Sequence, residues 1–194
     1  MRVSREKAAE NRERVIEVAS KLFRERGFDG VGVADLMKAA GLTHGGFYGN
    51  FESKDDLILQ ACSRALEESL TVLRGTIEAG GKDILGNIAS VYLSPSHRDH
   101  VGNGCALAAL GAEVARNSTP VRSLFTQTIS AATELLARIV STKSKRLKRE
   151  RALAIYSSLV GALILARAVD DPELSQEILQ ATVESLSLLN PRST

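Results

Sequence analysis

The chain has 194 residues, 44% of them hydrophobic and 25% charged, with a net charge of +2 at pH 7. That is enough chain to bury a core, as one domain or as a small one joined to a larger one, and the balance is that of an ordinary globular protein. It excludes a nucleic-acid partner recognised through bulk charge alone, no apolar run approaches the roughly 20 residues of a membrane span, and the polar start MRVSREKAAENRERV lacks the apolar stretch of a secretory leader, so a cytoplasmic location without membrane attachment is expected.

Val15, Ala19, Leu22 and Phe23 fall at i, i+4, i+7 and i+8. This is one apolar stripe, so an amphipathic helix is expected from about 6 to 26, closed by Gly27. Val33, Leu36, Met37 and Ala40 repeat the pattern over two turns, with Gly32 as a tolerable cap and Gly41 in the position where a left-handed residue is cheapest. Thr43 is a good N-cap for a short third helix, and Leu42 with Phe47 forms a hydrophobic staple at its entry. Ser53 followed by Lys54, Asp55 and Asp56 resembles a capping box, after which Leu57, Ala61, Ala65 and Leu66 carry a fourth helix toward Arg74.

Further helices are expected at about 82–93, 104–116, 120–141, 144–169 and 172–189. Pro120 and Pro172 follow Ser-Thr and Asp-Asp pairs at helix starts, and no segment alternates with period two for long enough to make a sheet. The expected fold is all-α, with about nine helices.

The unusual segment is Gly41-Leu42-Thr43-His44-Gly45-Gly46-Phe47-Tyr48-Gly49-Asn50-Phe51. Each glycine inside a helix costs about 1 kcal/mol relative to alanine, so Gly45 and Gly46 need a reason to be there. Two readings stand at this point: a loop pinned by buried aromatics, or the second helix of a helix-turn-helix kept bare so that its backbone can approach DNA closely. In the second reading Thr43 and His44 touch bases, Tyr48 and Lys54 hold phosphates, Asn50 adds a phosphate or base contact, and Phe47 and Phe51 belong to the core. Residues 1–54 carry ten Lys/Arg against eight Asp/Glu, so such binding rests on local placement.

From Ala19 to Leu57, through Gly27-Phe28, the Val33 to Ala40 helix, Gly41 to Tyr48, Phe51 and Lys54 to Leu57, the sequence resembles the TetR (tetracycline repressor) family of transcriptional regulators. The resemblance implies a three-helix DNA-binding domain over 1–53 and a domain over 54–194 that binds a small effector and pairs two copies through the last two helices, 144–189. The protein so implied is a repressor that binds an inverted repeat as a homodimer and leaves it when the effector binds. Gly32 stands where the family usually has Ser or Thr, and Gly49-Asn50 where an aromatic or His pair is common. The alternative is a small-molecule binding protein or cryptic enzyme whose helix-turn-helix no longer functions.

In the later helices, Tyr156 to Ala166 is apolar or small all round, and the expected 144–169 helix would be about 39 Å long at 1.5 Å per residue. Such a hairpin suits a four-helix dimer interface or packing within one chain. Candidate linings of an effector pocket are Cys62, Leu66, Tyr92, Cys105, Phe125, Ile129 and Tyr156. Cys105 begins a helix after Gly104, a setting that favours a reactive thiolate, while an inert buried thiol is the plainer reading. The run Lys143, Lys145, Arg146, Lys148, Arg149 and Arg151 reads as a solvated helix start or a second polyanion surface.

No enzyme, metal or cofactor is expected. His97 and His100 lack Cys or Glu at ligand spacing and read as loop residues, Gly80-Gly81-Lys82-Asp83 is not a phosphate-binding loop, and no Gly-x-Ser-x-Gly occurs.

Overall fold

A computed structural model describes residues 5–189, so the outermost ends of the two expected domains, 1–4 and 190–194, lie outside the described residues. The described chain is helical without a strand: α1 (Arg5–Arg26), α2 (Val33–Ala39), a 3₁₀ turn (His44–Gly46), α3 (Lys54–Ala79), α4 (Ile84–Tyr92), α5 (Pro95–Asp99), a second 3₁₀ turn (Val101–Asn103), α6 (Ala106–Val114), α7 (Thr119–Ile139), α8 (Lys145–Ala168) and α9 (Pro172–Leu188). Contacts divide it into two compact units. One runs to Glu67 and takes in Val101–Leu124; the other comprises Glu68–His100 and Phe125 onward.

In the first unit Val15, Ala19 and Phe23 are buried on one stripe of α1, and Leu36 and Met37 are buried on α2. Gly41 closes α2 with a φ of +69°, while its N–H donates to Lys38 O (3.0 Å) and that of Leu42 to Met37 O (2.9 Å). These two bonds are the 5→2 and 6→1 pair that satisfies the last carbonyls of a helix, and only a left-handed residue at Gly41 allows them. At the start of α3, Ser53 Oγ accepts from Asp56 N–H (3.1 Å), and the Asp56 carboxylate accepts from Glu52 N–H (3.2 Å), one residue earlier than a regular capping box.

The short third helix contracts to a single 3₁₀ turn. Gly46 N–H donates to Thr43 O (3.0 Å) and Phe47 N–H to His44 O (3.1 Å), and the Thr43 side chain caps nothing. Three glycines in five residues remove the propensity that would carry the turn into an α-helix. Two other sequence expectations change. His97 lies in a helix, α5, which starts at Pro95 with Ser94 Oγ accepting from His97 N–H (3.2 Å), and His100 is its C-cap. The fourth helix runs through Gly75 to Ala79 and stops at Gly80, φ +68°.

In the second unit α8 packs on α9, α9 on α4 and α5 on α8. Asp171 caps α9 by accepting from the N–H groups of Glu173 (2.9 Å) and Leu174 (3.2 Å), with Pro172 as the first helical residue. Arg167, in the last turn of α8, donates to the carbonyls of His97 (2.6 Å) and Arg98 (3.1 Å), a cation at the end of α5. Burial, partly offset by a hydrogen bond with Tyr92 O and reinforced by Arg167, lowers the His97 pKa.

Ala152, Ile155, Tyr156, Leu159, Ala162, Leu163 and Ala166 form the buried row of α8. Leu153, Ala154, Ser157, Gly161, Ile164, Leu165 and Ala168 form the opposite row, with Ile164 and Leu165 exposed. By length and composition α8 could cross a membrane, against the sequence expectation: an 18-residue window has a mean hydropathy of 1.4 and is 39% buried inside the protein. In the basic run at its start, Arg146 pairs with Glu150 (2.8 Å).

Candidate nucleic-acid interface

The glycine turn is mounted on a buried aromatic base. Phe47 and Phe51 are buried with ring centroids 5.4 Å apart, and the Arg12 guanidinium from α1 stands over the Phe51 ring at 5.3 Å. Arg12 also donates to Gln60, which donates to Asp56, the residue that takes Glu52 N–H. This chain of side chains ties α1 to the start of α3 and fixes the segment between them. Arg12 lies on the same stripe as Val15 and Ala19, but its charge disguises a packing role that no local pattern reveals.

Above that base, Thr43, His44, Gly45, Tyr48 and Gly49 are exposed, and Tyr48 is 72% exposed even though its ring meets Phe47 edge-on at 5.2 Å. An aromatic held at its root and bare at its hydroxyl is positioned to donate to a fixed acceptor outside the protein. Neither Gly45 nor Gly46 needs a left-handed backbone. A Cβ at Gly45 would meet nothing within 4 Å, and at Gly46 only the Met37 methyl (3.6 Å) and Thr43 Oγ1 (4.0 Å). Neither backbone conformation nor steric room therefore requires glycine at these two positions. Asn50 is half-buried and donates its amide to Gly46 O (2.7 Å), so it braces the turn from within. Lys54, half-buried, is the first residue of α3.

The seven pocket candidates fall in different units. Cys62, Leu66 and Cys105 are buried in the first; Tyr92, Phe125, Ile129 and Tyr156 belong to the second, with Phe125 and Tyr156 buried and Tyr92 meeting His97 edge-on at 4.7 Å. Both cysteines are thiols. Burial pushes the Cys62 pKa up to about 12, with Glu113 adding to the rise and Arg24 opposing it. Cys105 is buried as the N-cap of α6, and its side chain accepts no cap hydrogen bond. Among the described residues no cluster of His, Cys, Asp and Glu could hold a metal ion.

The family model described as "Bacterial regulatory proteins, tetR family" matches residues 15–61, the stretch that builds this surface. The transcriptional regulator AcrR of Shigella flexneri is 36% identical over 56 residues, 29% of this chain and 26% of that protein. YerO of Bacillus subtilis, an uncharacterised regulator of the helix-turn-helix type, is 30% identical over 69 residues, 36% of this chain and 24% of its own length. The chain thus matches about a quarter of the length of these curated relatives. Likeness in fold extends further. A TetR-family regulator from Cytophaga hutchinsonii superposes with a TM-score of 0.81 at 22% identity, covering 98% of this chain and 96% of that one. FadR of Bacillus subtilis, solved in complex with stearoyl-CoA, gives 0.64 at 18% identity over 88% and 97%. The N-terminal segment 15–61 thus matches the TetR family of bacterial regulatory proteins, and over nearly the whole chain the fold is like that of a TetR-family regulator.

Proposed function

We propose that this protein is a cytoplasmic, ligand-responsive transcriptional repressor that binds an inverted-repeat operator as a homodimer and is released by a small-molecule effector. The observation that carries the proposal is the glycine turn: exposed, rigidly based on Phe47 and Phe51, and built with glycines that neither backbone conformation nor steric room requires. A surface kept bare without such a reason is one that another molecule approaches closely. Thr43 and His44 contact base edges, Gly45 and Gly46 admit the duplex, and Tyr48, Lys54 and Asn50 position the phosphate backbone. DNA reading is the work of residues 1–53, and effector binding and pairing that of 54–194.

Pairing uses the outer row of α8 with the neighbouring face of α9. Ile164, Leu165 and Leu174 are exposed there, and a Cβ at Gly161 would meet nothing within 4 Å in a single chain. A second copy covering this row across a twofold axis buries apolar surface, and the small residues Ala154, Ser157 and Gly161 let the helices come close. The effector, of unassigned chemistry, contacts residues drawn either from Tyr92, Phe125, Ile129 and Tyr156 of the second unit or from Cys62, Leu66 and Cys105 of the first. The FadR complex with stearoyl-CoA supports this reading as a case of a similar fold holding an organic ligand.

Two reading surfaces docked on successive major grooves must stand about 34 to 36 Å apart, so an effector that changes their separation breaks simultaneous docking. A preference of about 1 to 3 kcal/mol for the non-docking state weakens DNA binding about 5- to 150-fold. Selection of bound duplexes from a random pool, followed by sequencing, tests the proposal. An enriched inverted repeat is expected; retention without any enriched sequence would overturn it.

A further inference from the structure

Of the chain's 25 Lys/Arg and 23 Asp/Glu, six and one fall within residues 143–151, which leaves nineteen against twenty-two elsewhere. Lys143, Lys145, Arg146, Lys148, Arg149 and Arg151 thus make a segment of +5 in a chain whose remainder is net negative. The first helix, by contrast, mixes its signs: α1 interleaves seven cations with five carboxylates and closes a pair on itself, Lys7 with Glu10 (2.8 Å). In the run at 143–151 only Arg146 is paired, with Glu150, and its side chain is still 85% exposed. The other five cations make no ion pair with a described residue.

The segment also stands clear of the core. Ala152 is the first buried residue of α8. Of the seven helical residues before it, about 10 Å of helix at 1.5 Å per residue, Leu147 and Lys148 are half-buried and the rest are exposed. Local helix chemistry does not account for the placement either. Cations in the first turn face the positive end of the helix dipole, no carboxylate stands in that turn to offset them, and the cap is the neutral Ser144, whose hydroxyl accepts from Leu147 N–H (3.3 Å). Lys145 repels Lys148 and Arg149 at i+3 and i+4 as well. A helix start shaped by stability alone would carry the opposite sign.

The composition of the run narrows the partner. A lipid surface is held by an apolar face beside the charge, and a protein interface by an apolar or aromatic centre. Within 143–151 the only large apolar side chain is the half-buried Leu147, and no aromatic occurs. A nucleic-acid backbone asks for neither, because repeated phosphates bind cations through counterion release and charge-assisted hydrogen bonds.

We propose that the start of α8 is a second polyanion surface, which holds the phosphate backbone of a further DNA duplex irrespective of its sequence. The run lies wholly in the second compact unit and the glycine turn in the first, so the two surfaces can be tested separately. A regulator so equipped holds one duplex by its reading surface and another by charge, and bridges the two.

In the experiment, the full-length protein is given enough unlabelled selected duplex to fill its reading surface and is then titrated with a fluorescent duplex of unselected sequence, followed by anisotropy from about 50 to 200 mM salt. Uptake of the labelled duplex is expected, with a slope of log affinity against log salt of about −4.5 when the five unpaired cations each neutralise one phosphate. In the triple variant Lys145→Ala, Lys148→Ala, Arg149→Ala the slope should shrink to about −1.8 and the affinity should fall about tenfold or more, while the selected duplex is held as before. None of the three side chains is buried and alanine favours helix, so the variant keeps its fold. No uptake at the lowest salt overturns the proposal, as does equal uptake by the triple variant. Binding to phosphatidylserine vesicles without uptake of the duplex overturns it in favour of a membrane. Failure to hold the selected duplex removes the reading of the glycine turn alone; the unselected duplex is then titrated by itself, and the triple variant decides the case of α8 in the same way.

Discussion

Replacing Gly45 by alanine should make the protein more stable and a worse binder of DNA. The stability side follows from the free structure. Gly45 has no left-handed backbone to lose, and an added Cβ would meet nothing within 4 Å. The main effect is then on the unfolded chain, whose entropy alanine reduces by about 0.4 to 1 kcal/mol. For a chain of this size each 1 kcal/mol moves the melting temperature by about 2 to 4 °C, so a rise of one to a few degrees is expected.

The binding side follows from the proposed docking. A methyl placed where a duplex approaches in close contact meets the cost of overpacking, about 1 to 3 kcal/mol, which is about 5- to 150-fold in affinity. Thermal unfolding by circular dichroism and fluorescence anisotropy with a selected duplex at one fixed salt concentration read the two sides separately. Gly75→Ala is the control. Gly75 lies exposed within α3, also with nothing within 4 Å of an added Cβ, so this substitution should stabilise without touching affinity. A Gly45→Ala protein that melts lower would mean that the fold itself needs the glycine. Unchanged affinity would mean that DNA does not approach there. Either result defeats the argument.

Gly41→Ala should lower stability by about 1 to 2 kcal/mol in urea unfolding, because alanine would be forced to the φ of +69° that the end of α2 requires, with no neighbour adding to the cost. Gly161→Leu should leave each chain folded and raise the dimer dissociation constant about tenfold or more, as read by sedimentation; an undisturbed dimer would remove the α8 row from the interface. Alkaline stability should report on Cys62. Its folded pKa of about 12 lies above the ordinary 9.0, so its contribution is intact below pH 9 and is lost as pH rises through the interval to 12. The slope is about 1.4 kcal/mol per pH unit. Denaturation midpoints from pH 8 to 10.5 should therefore fall less steeply in Cys62→Ala than in the unaltered protein. His97 works in the opposite sense. Its lowered pKa means that stability is present above about pH 6.5 and is lost as pH falls through the folded value, a loss that His97→Gln should remove in the same assay.

The sequence by itself determined what local rules govern. The apolar stripe of α1, the glycine that ends α2, the Ser53 cap of α3 and the Asp171-Pro172 start of α9 each depend on residues within one or two turns of themselves, and each stands in the structure where those rules put it. The same locality explains the family likeness, because residues 15–61 are a nearly self-sufficient run of caps and stripes. Only the tertiary structure decided the rest. The residues after Gly41 read as a helix because Thr43 and Phe47 suit one; the glycines between them leave a 3₁₀ turn held from below by Phe47, Phe51 and Asn50. His97 passes for a loop residue until Ser94 caps α5 and Arg167 closes its other end.

Arg24 carries no local sign of burial. Its partner Gly104 lies eighty residues away, and a guanidinium is hidden only where the folded chain supplies all of its acceptors at once. The segment 101–124 joins the first unit for the same reason: its place is fixed by what α1 offers it, and that offer exists only after α1 and α6 have met.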